Sequence, residues 1–458
     1  MNRRELVKAL SLLPFSGSAA ALAPLLAESA DLRLIVPSDA DYATRRGGFN
    51  QRIVRKPAVL ALCRSMTGIQ RALAFAAESN LKVGIRSGGH CFEGHGLIEN
   101  GLLLDLSALN TLKRQGDLVD IGPGAKLGGV YQQLAAENRL LPAGSCAGVG
   151  VAGLALGGGY GFFARQHGLT SDHLVELDLI DAGGKLHTVR DDDPLLMACR
   201  GGGNGQFGAV SRLRFRTHPA PSRFASHRFR FRELTVARAK ALAERWCDLV
   251  ERLPLTSYAS FVLNGRTLTV LITDSAAKAP TGFADQLARF GADATETPPV
   301  REDLFLAGIQ RFSGGTTPMY FKNFSAGYYA DWADLARGFE ALAALVIEQK
   351  PNSILQINSL AGAISTNTVP SAYAHRRMKY LGEFQVYYNS PKQAEPALAL
   401  TERARQVIEA HWSRHYANYP NDAFQDATRA YYGAQLPRLQ QLKRDLDPDR
   451  RFAEFSAV

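Results

Sequence analysis

The chain has 458 residues, too many for one compact core, so two domains are expected. Hydrophobic residues make up 46% and charged residues 21%, ordinary values for a globular protein, and no apolar stretch in the body of the chain is long enough to span a bilayer. The formal net charge is +10, but no nucleic-acid-reading element accompanies it, which excludes a nucleic-acid partner and leaves room for an acidic small molecule.

Asn2-Arg3-Arg4-Glu5-Leu6-Val7-Lys8 sets two arginines ahead of an apolar run over residues 9–26. This resembles a twin-arginine export signal over residues 1–30, cleaved near Ala27 or Ala30. It predicts an exported protein, periplasmic or secreted, that meets the twin-arginine machinery already folded. Pro14, Gly17 and Pro24 argue against a stable membrane helix. A Sec signal or a retained anchor is the alternative.

Ile69, Ala72, Leu73 and Ala76 recur at helical spacing over 68–78. Residues 81–85 then read as a strand that delivers the chain into Arg86-Ser87-Gly88-Gly89-His90-Cys91. A strand over 118–121 and a turn at Gly122-Pro123-Gly124 precede helical spacing at Leu127, Val130, Tyr131 and Leu134. Gly144-Ser145-Cys146-Ala147-Gly148-Val149-Gly150 follows and runs on to Gly153. Gly157-Gly158-Gly159-Tyr160-Gly161 comes next, and Gly201-Gly202-Gly203-Asn204-Gly205-Gln206-Phe207-Gly208 leads into Val210. Glycine lets backbone approach a ligand closely and lets N–H groups converge on an anion. Several such loops predict a large phosphate-bearing cofactor, and the imidazole and thiol among them suggest a covalent tether.

Arg212, Arg214, Arg216, Arg228, Arg230 and Arg232 alternate with apolar residues, so strands with one solvated basic face are expected. Beyond Pro221, strands are predicted over 224–231, 257–263, 268–272, 353–360 and 382–388, and helices over 234–253, 281–290 and 331–348. This reads as a substrate domain over 221–400, an antiparallel sheet backed by helices, following a cofactor domain over 50–220. Residues 401–458 return to helix, with a turn at 418–421. His411 and His415 sit four apart on a predicted helix near Glu409, and without a further acidic ligand they read as a solvated face rather than a metal site. Cys63, Cys91, Cys146, Cys199 and Cys247 show no paired spacing, so no disulfide framework is expected.

In order, Arg86-Ser87-Gly88-Gly89-His90, the Cys146 loop, Gly157–Tyr160, the 201–208 glycine run and Tyr416-Ala417-Asn418-Tyr419-Pro420-Asn421 resemble the berberine-bridge-enzyme-like group of flavoprotein oxidases, within the vanillyl-alcohol-oxidase flavin fold. The resemblance covers about residues 49–452. It implies an α+β protein with a two-part PCMH-type FAD-binding domain, whose C-terminal segment folds back onto it. It implies FAD bonded twice, through His90 and Cys146, and held by Arg86, Ser87, Gly88, Gly89, Cys91, Val149, Gly150, Gly153, Gly158, Gly159, Tyr160, Gly205, Phe207, Gly208, Val210 and Asn418. The valine at 149 implies oxygen as acceptor and hydrogen peroxide as product. A small-molecule substrate, a carbohydrate or a hydroxylated natural product, would lose a proton to Tyr416 and a hydride to the flavin. Tyr160 would face the site, and Tyr419 is the alternative base. Asn358 stands where the group's sugar oxidases carry a carboxylate that helps the phenol. Phe92 stands where some of them place a stacking tyrosine. A flavin dehydrogenase with another acceptor and a flavin-carrying protein without turnover are the rival readings.

Overall fold

The computed structural model describes residues 29–453. The export-signal expectation at Arg3 and Arg4 lies outside the described residues.

The cofactor half rests on two sheets. The first holds β1 (Leu32–Ile35), β2 (Val59–Cys63), β3 (Val83–Arg86) and β4 (Leu102–Asp105) in the order β1-β2-β4-β3. β4 runs parallel to both β2 and β3. Parallel pairing needs crossovers, and α1 (Met66–Glu78) carries the chain from β2 to β3. The Ser65 hydroxyl caps α1 by accepting the Gly68 N–H at 3.0 Å. Ile69, Ala72, Leu73 and Ala76 pack onto Val59, Ala61, Leu102 and Leu104, the face read from the sequence.

The second sheet is antiparallel and holds β5 (Leu112–Gln115), β6 (Leu118–Ile121), β7 (Leu174–Ile180), β8 (Leu186–Arg190) and β9 (Ala209–Arg216) in the order β5-β6-β9-β7-β8. Between β6 and β7 the chain forms α2 (Leu127–Ala136), the Cys146 loop and α3 (Val151–Leu156). The expected basic face stays exposed at Arg216, Arg228 and Arg232 but is paired at Arg212 and Arg214. Arg212 Nε donates to Asp178 Oδ2 at 2.6 Å, and Arg214 forks onto Asp120 with two contacts of 2.7 Å. Neighbouring strands supply the acids, so Arg212 and Arg214 are neutralised by ion pairs. Alternation along one strand cannot reveal what stands across from it.

The substrate half is a seven-stranded antiparallel sheet of β10 (Phe224–Phe231), β11 (Ser257–Asn264), β12 (Thr267–Asp274), β13 (Arg301–Asp303), β14 (Tyr320–Tyr329), β15 (Ser353–Ser359) and β16 (Tyr380–Tyr388). Its order is β13-β10-β12-β11-β15-β16-β14. Helices α4 (Val236–Arg252), α5 (Trp332–Glu348) and α6 (Ala394–His411) back it, burying Trp246, Phe339, Leu342, Leu400 and Ile408. The α+β class and the helix-backed sheet are as expected.

Sequence reasoning missed β14. It is buried on both faces from Phe324 to Tyr329, so it shows no alternation. Its outer edge is covered by the C-terminal segment. Ser325 N–H donates to Tyr419 O at 2.9 Å and Tyr328 N–H to Arg414 O at 3.0 Å. The end of the chain returns to the first sheet: Val83 N–H bonds Arg451 O at 2.8 Å, Ala453 N–H bonds Val83 O at 2.7 Å, and Phe452 is buried in that core. The histidine pair also differs from expectation. α6 ends at His411, and His415 lies beyond it, stacked on Phe424 at 4.0 Å. The two rings therefore share no helix face. Among the described residues no cluster could hold a metal ion, and no helix is long and apolar enough to cross a membrane.

Candidate active site

The two halves and the C-terminal segment enclose a cavity of about 880 Å³. Apart from Phe207, Gly158, Gly159 and Asn358, every site residue singled out in the sequence lines it. Phe207 is fully buried in the core instead.

β3 launches the histidine loop. Arg86 anchors the strand end by donating from Nη2 to the buried Asp105 Oδ2 at 2.6 Å and from Nη1 to Gly47 O at 2.8 Å. The loop then passes against the Cys146 loop with no room between them. A Cβ on Gly88 would lie 2.2 Å from Gly150 N, and one on Gly148 would lie 2.8 Å from His90 Nε2. The glycines thus let loops from separate parts of the chain bring His90 and Cys146 to one wall. His90 stacks on Phe49 with ring centroids 4.1 Å apart. Burial, then the Lys126 charge, push its pKa down to about 4, so the imidazole is neutral with a free lone pair at physiological pH. Cys146 opens onto the cavity. Its thiol is held above the ordinary range by its desolvating surroundings and then by the Glu383 carboxylate. The glycine-loop amides do not offset this.

The glycine run ending at Tyr160 carries positive φ at Gly158 and Gly159, and Gly159 N–H donates to Tyr416 Oη at 2.8 Å. Asn418 Nδ2 also donates to that oxygen, at 3.0 Å, and to Leu154 O at 3.0 Å. Tyr416 is 3% exposed, and burial pushes its pKa up to about 12. Its oxygen is thus engaged as an acceptor for the glycine run and for Asn418.

Tyr419 is differently placed. Its ring stacks on Phe92 at 5.2 Å and 8°, and its hydroxyl shares a 2.7 Å hydrogen bond with Tyr160. Asn358 lies behind that pair, donating from Nδ2 to Tyr160 Oη at 2.9 Å and accepting from Tyr258 Oη at 2.7 Å. The carboxylate absent at Asn358 is present one strand over. Glu383, on β16, faces the cavity and hydrogen-bonds the side chains of Gln385, Tyr419 and Asn323. It is 5% exposed, and burial pushes its pKa up to about 8. Sequence reasoning missed it because β15 and β16 pair antiparallel, setting Glu383 opposite Gln356, two residues from Asn358. A carboxylate on a predicted core strand was the only signal.

The site fits a flavin dinucleotide. Its volume lies within the roughly 300–1,000 Å³ range of cofactor and ligand cavities. Asn204, on the wall, donates from Nδ2 to Asn418 Oδ1 at 2.8 Å, and its buried Oδ1 has no donor among the described residues, as a cofactor-facing group would.

Residues 57–190 match the FAD binding domain family, and residues 415–455 match the family described as berberine and berberine like. The FAD-linked oxidoreductase YgaK of Bacillus subtilis is 28% identical over 92% of this chain and 95% of its own length. The chitooligosaccharide oxidase of Gibberella zeae is 26% identical over 92% of both chains, and the glucooligosaccharide oxidase of Sarocladium strictum 27% over 90% and 89%. A solved chitooligosaccharide oxidase superposes with a TM-score of 0.84 at 22% identity, over 93% of this chain and 97% of that one, a likeness of fold. With its two matched segments at one cavity, the chain is an FAD-linked oxidoreductase that is similar to the berberine-bridge-enzyme-like proteins.

Proposed function

We propose that this oxidoreductase is an exported oxidase carrying FAD on two covalent bonds, and that it oxidises a hydroxylated small molecule of the carbohydrate class. The observation that carries the reading is the convergence of a neutral imidazole, a thiol and a buried tyrosine–glutamate pair on one cavity. His90 and Cys146 would hold the flavin ring, and the glycine loops with Asn204 and Asn418 the rest of the cofactor. The chemistry the flavin supplies when bound is two-electron oxidation of a C–H bond beside a hydroxyl, with oxygen as final acceptor and hydrogen peroxide as product.

The chain itself manages the proton. Tyr419 Oη would take the proton of the substrate hydroxyl, although burial holds a bare phenol well above its usual range. Glu383 removes that obstacle, because a carboxylate with a pKa near the working pH is an efficient acceptor. Tyr419 can therefore pass its own proton to Glu383 as it receives the substrate's. Tyr160 and Asn358 fix the phenol's direction. Phe92, Tyr387 and Gln385 offer the mixed aromatic and polar wall that a sugar ring prefers. Export is proposed from Arg3 and Arg4 ahead of the apolar run.

Acid precipitation tests the reading. Yellow colour that stays with the protein pellet, survives in either His90→Ala or Cys146→Ala, and leaves with the supernatant in the double variant is expected. Colour retained by the double variant overturns the attachment. Reduced flavin that persists in air for minutes favours a dehydrogenase with another acceptor.

A further inference from the structure

One reactive cluster on the cavity wall has no part in the proton path above. Cys91 follows His90 and lines the same cavity. The loop turns immediately, Gly94 N–H donating to Cys91 O at 3.2 Å, and this brings the His95 ring back beside the Cys91 thiol. On its far side His95 Nε2 meets Asp422 Oδ1 at 2.6 Å. Cysteine, histidine and aspartate thus stand in line, the first two from the histidine loop and the third from the C-terminal segment.

The cluster sets Cys91 apart from its fellow thiols. Cys63, Cys199 and Cys247 are buried, and burial pushes all of them up. Burial also raises Cys91, but the neighbouring His95 outweighs it and leaves the thiol below its ordinary range. His95 is pushed up to about 10: burial opposes this, and the bond to Asp422 and the nearby Cys91 prevail. The imidazolium of His95, held by the Asp422 carboxylate, favours the thiolate form of Cys91.

We propose that Cys91 is a peroxide-reactive site, modified to sulfenic acid with His95 as proton donor and Asp422 positioning His95. That the peroxide arises in this same cavity rests on the oxidase reading above. The thiolate attacks one peroxide oxygen, an S–O bond forms and the O–O bond breaks. Sulfur loses two electrons, peroxide gains them, and the departing oxygen takes the His95 proton and leaves as water. A thiol reductant reverses the change. The modified side chain is larger and lies beside His90 and Phe92, at the wall that receives substrate.

Hydrogen peroxide added to the purified flavoprotein, with dimedone as trap and peptide mass spectrometry as readout, tests this directly. Cys91 is expected to acquire the adduct at least about tenfold faster than Cys63, Cys199 or Cys247. His95→Gln should slow it about tenfold while leaving the thiol in place, and circular dichroism checks that variant's fold. Equal labelling of all four cysteines, or an unchanged Cys91 rate in a folded His95→Gln protein, overturns the proposal. A second arm photoreduces the flavin and opens the sample to air, with and without catalase. Labelling by added peroxide but none after air reoxidation supports the Cys91 assignment and counts against the oxidase reading. Labelling in both arms supports both.

Discussion

Tyr416 and Tyr419 are three positions apart in one turn, and sequence alone gives no reason to prefer the second. The geometry does. Tyr416 Oη already accepts from Gly159 N–H and Asn418 Nδ2, whereas Tyr419 Oη is bonded to side chains that can pass a proton. Tyr419→Phe should slow flavin reduction by about 10²–10⁴-fold, the usual worth of a positioned base, and Tyr416→Phe far less. Rapid-mixing reduction with a substrate that bleaches the flavin distinguishes them; equal effects would return the role to Tyr416. Glu383 adds a pH dependence. Below a pH of about 8 its carboxyl holds a proton and cannot accept another; above it, the carboxylate can. The reduction rate should therefore rise with pH and level off above about 8. In Glu383→Gln the rate should be low and this limb absent. The sequence made most of the cavity legible, because glycines, His90 and Cys146 sit in local motifs. It hid Glu383, because that residue joins the site only through strand pairing.

At the scale of elements, two glycine loops have to touch. Gly88 and Gly150 leave no space for a methyl group on either side. Gly88→Ala should force the histidine and cysteine loops apart, at a cost of about 1–3 kcal/mol, the usual range for overpacking. Flavin content after acid precipitation and the unfolding temperature both report it. Flavin content should fall more than stability, because the strain falls where His90 and Cys146 converge. Amphipathic helices such as α1, α4 and α5 were legible because one face meets the core at a fixed period. β14 was not, being covered on both faces, and neither was the end of α6, where no glycine or proline marks the stop.

At the scale of the molecule, the histidine loop, the substrate sheet and the C-terminal segment meet at a buried charge cluster. Lys322 on β14 pairs with Glu93 and donates to Asn421 Oδ1 at 2.8 Å, while Arg52 holds the other side of Glu93. The Glu93 side chain is 4% exposed. Lys322→Met should cost about 3 kcal/mol by leaving that carboxylate short of a partner. Glu93→Gln combined with Lys322→Met should cost less than the two single changes added together, as chemical denaturation of the four proteins would show. Strictly additive costs would mean the pair is not coupled.

The last described residues, Arg451 to Ala453, lie along β3, the strand that carries Arg86 into the histidine loop. In chain order, then, nearly everything made last braces something made early. A ribosome must reach these residues before the outer edge of the strand behind His90 is paired, so cofactor uptake is expected of whole molecules rather than growing ones. Nascent chains arrested at Leu446 should carry no acid-stable flavin, while released full-length chains acquire it; flavin fluorescence of arrested and released chains on a denaturing gel would show the order.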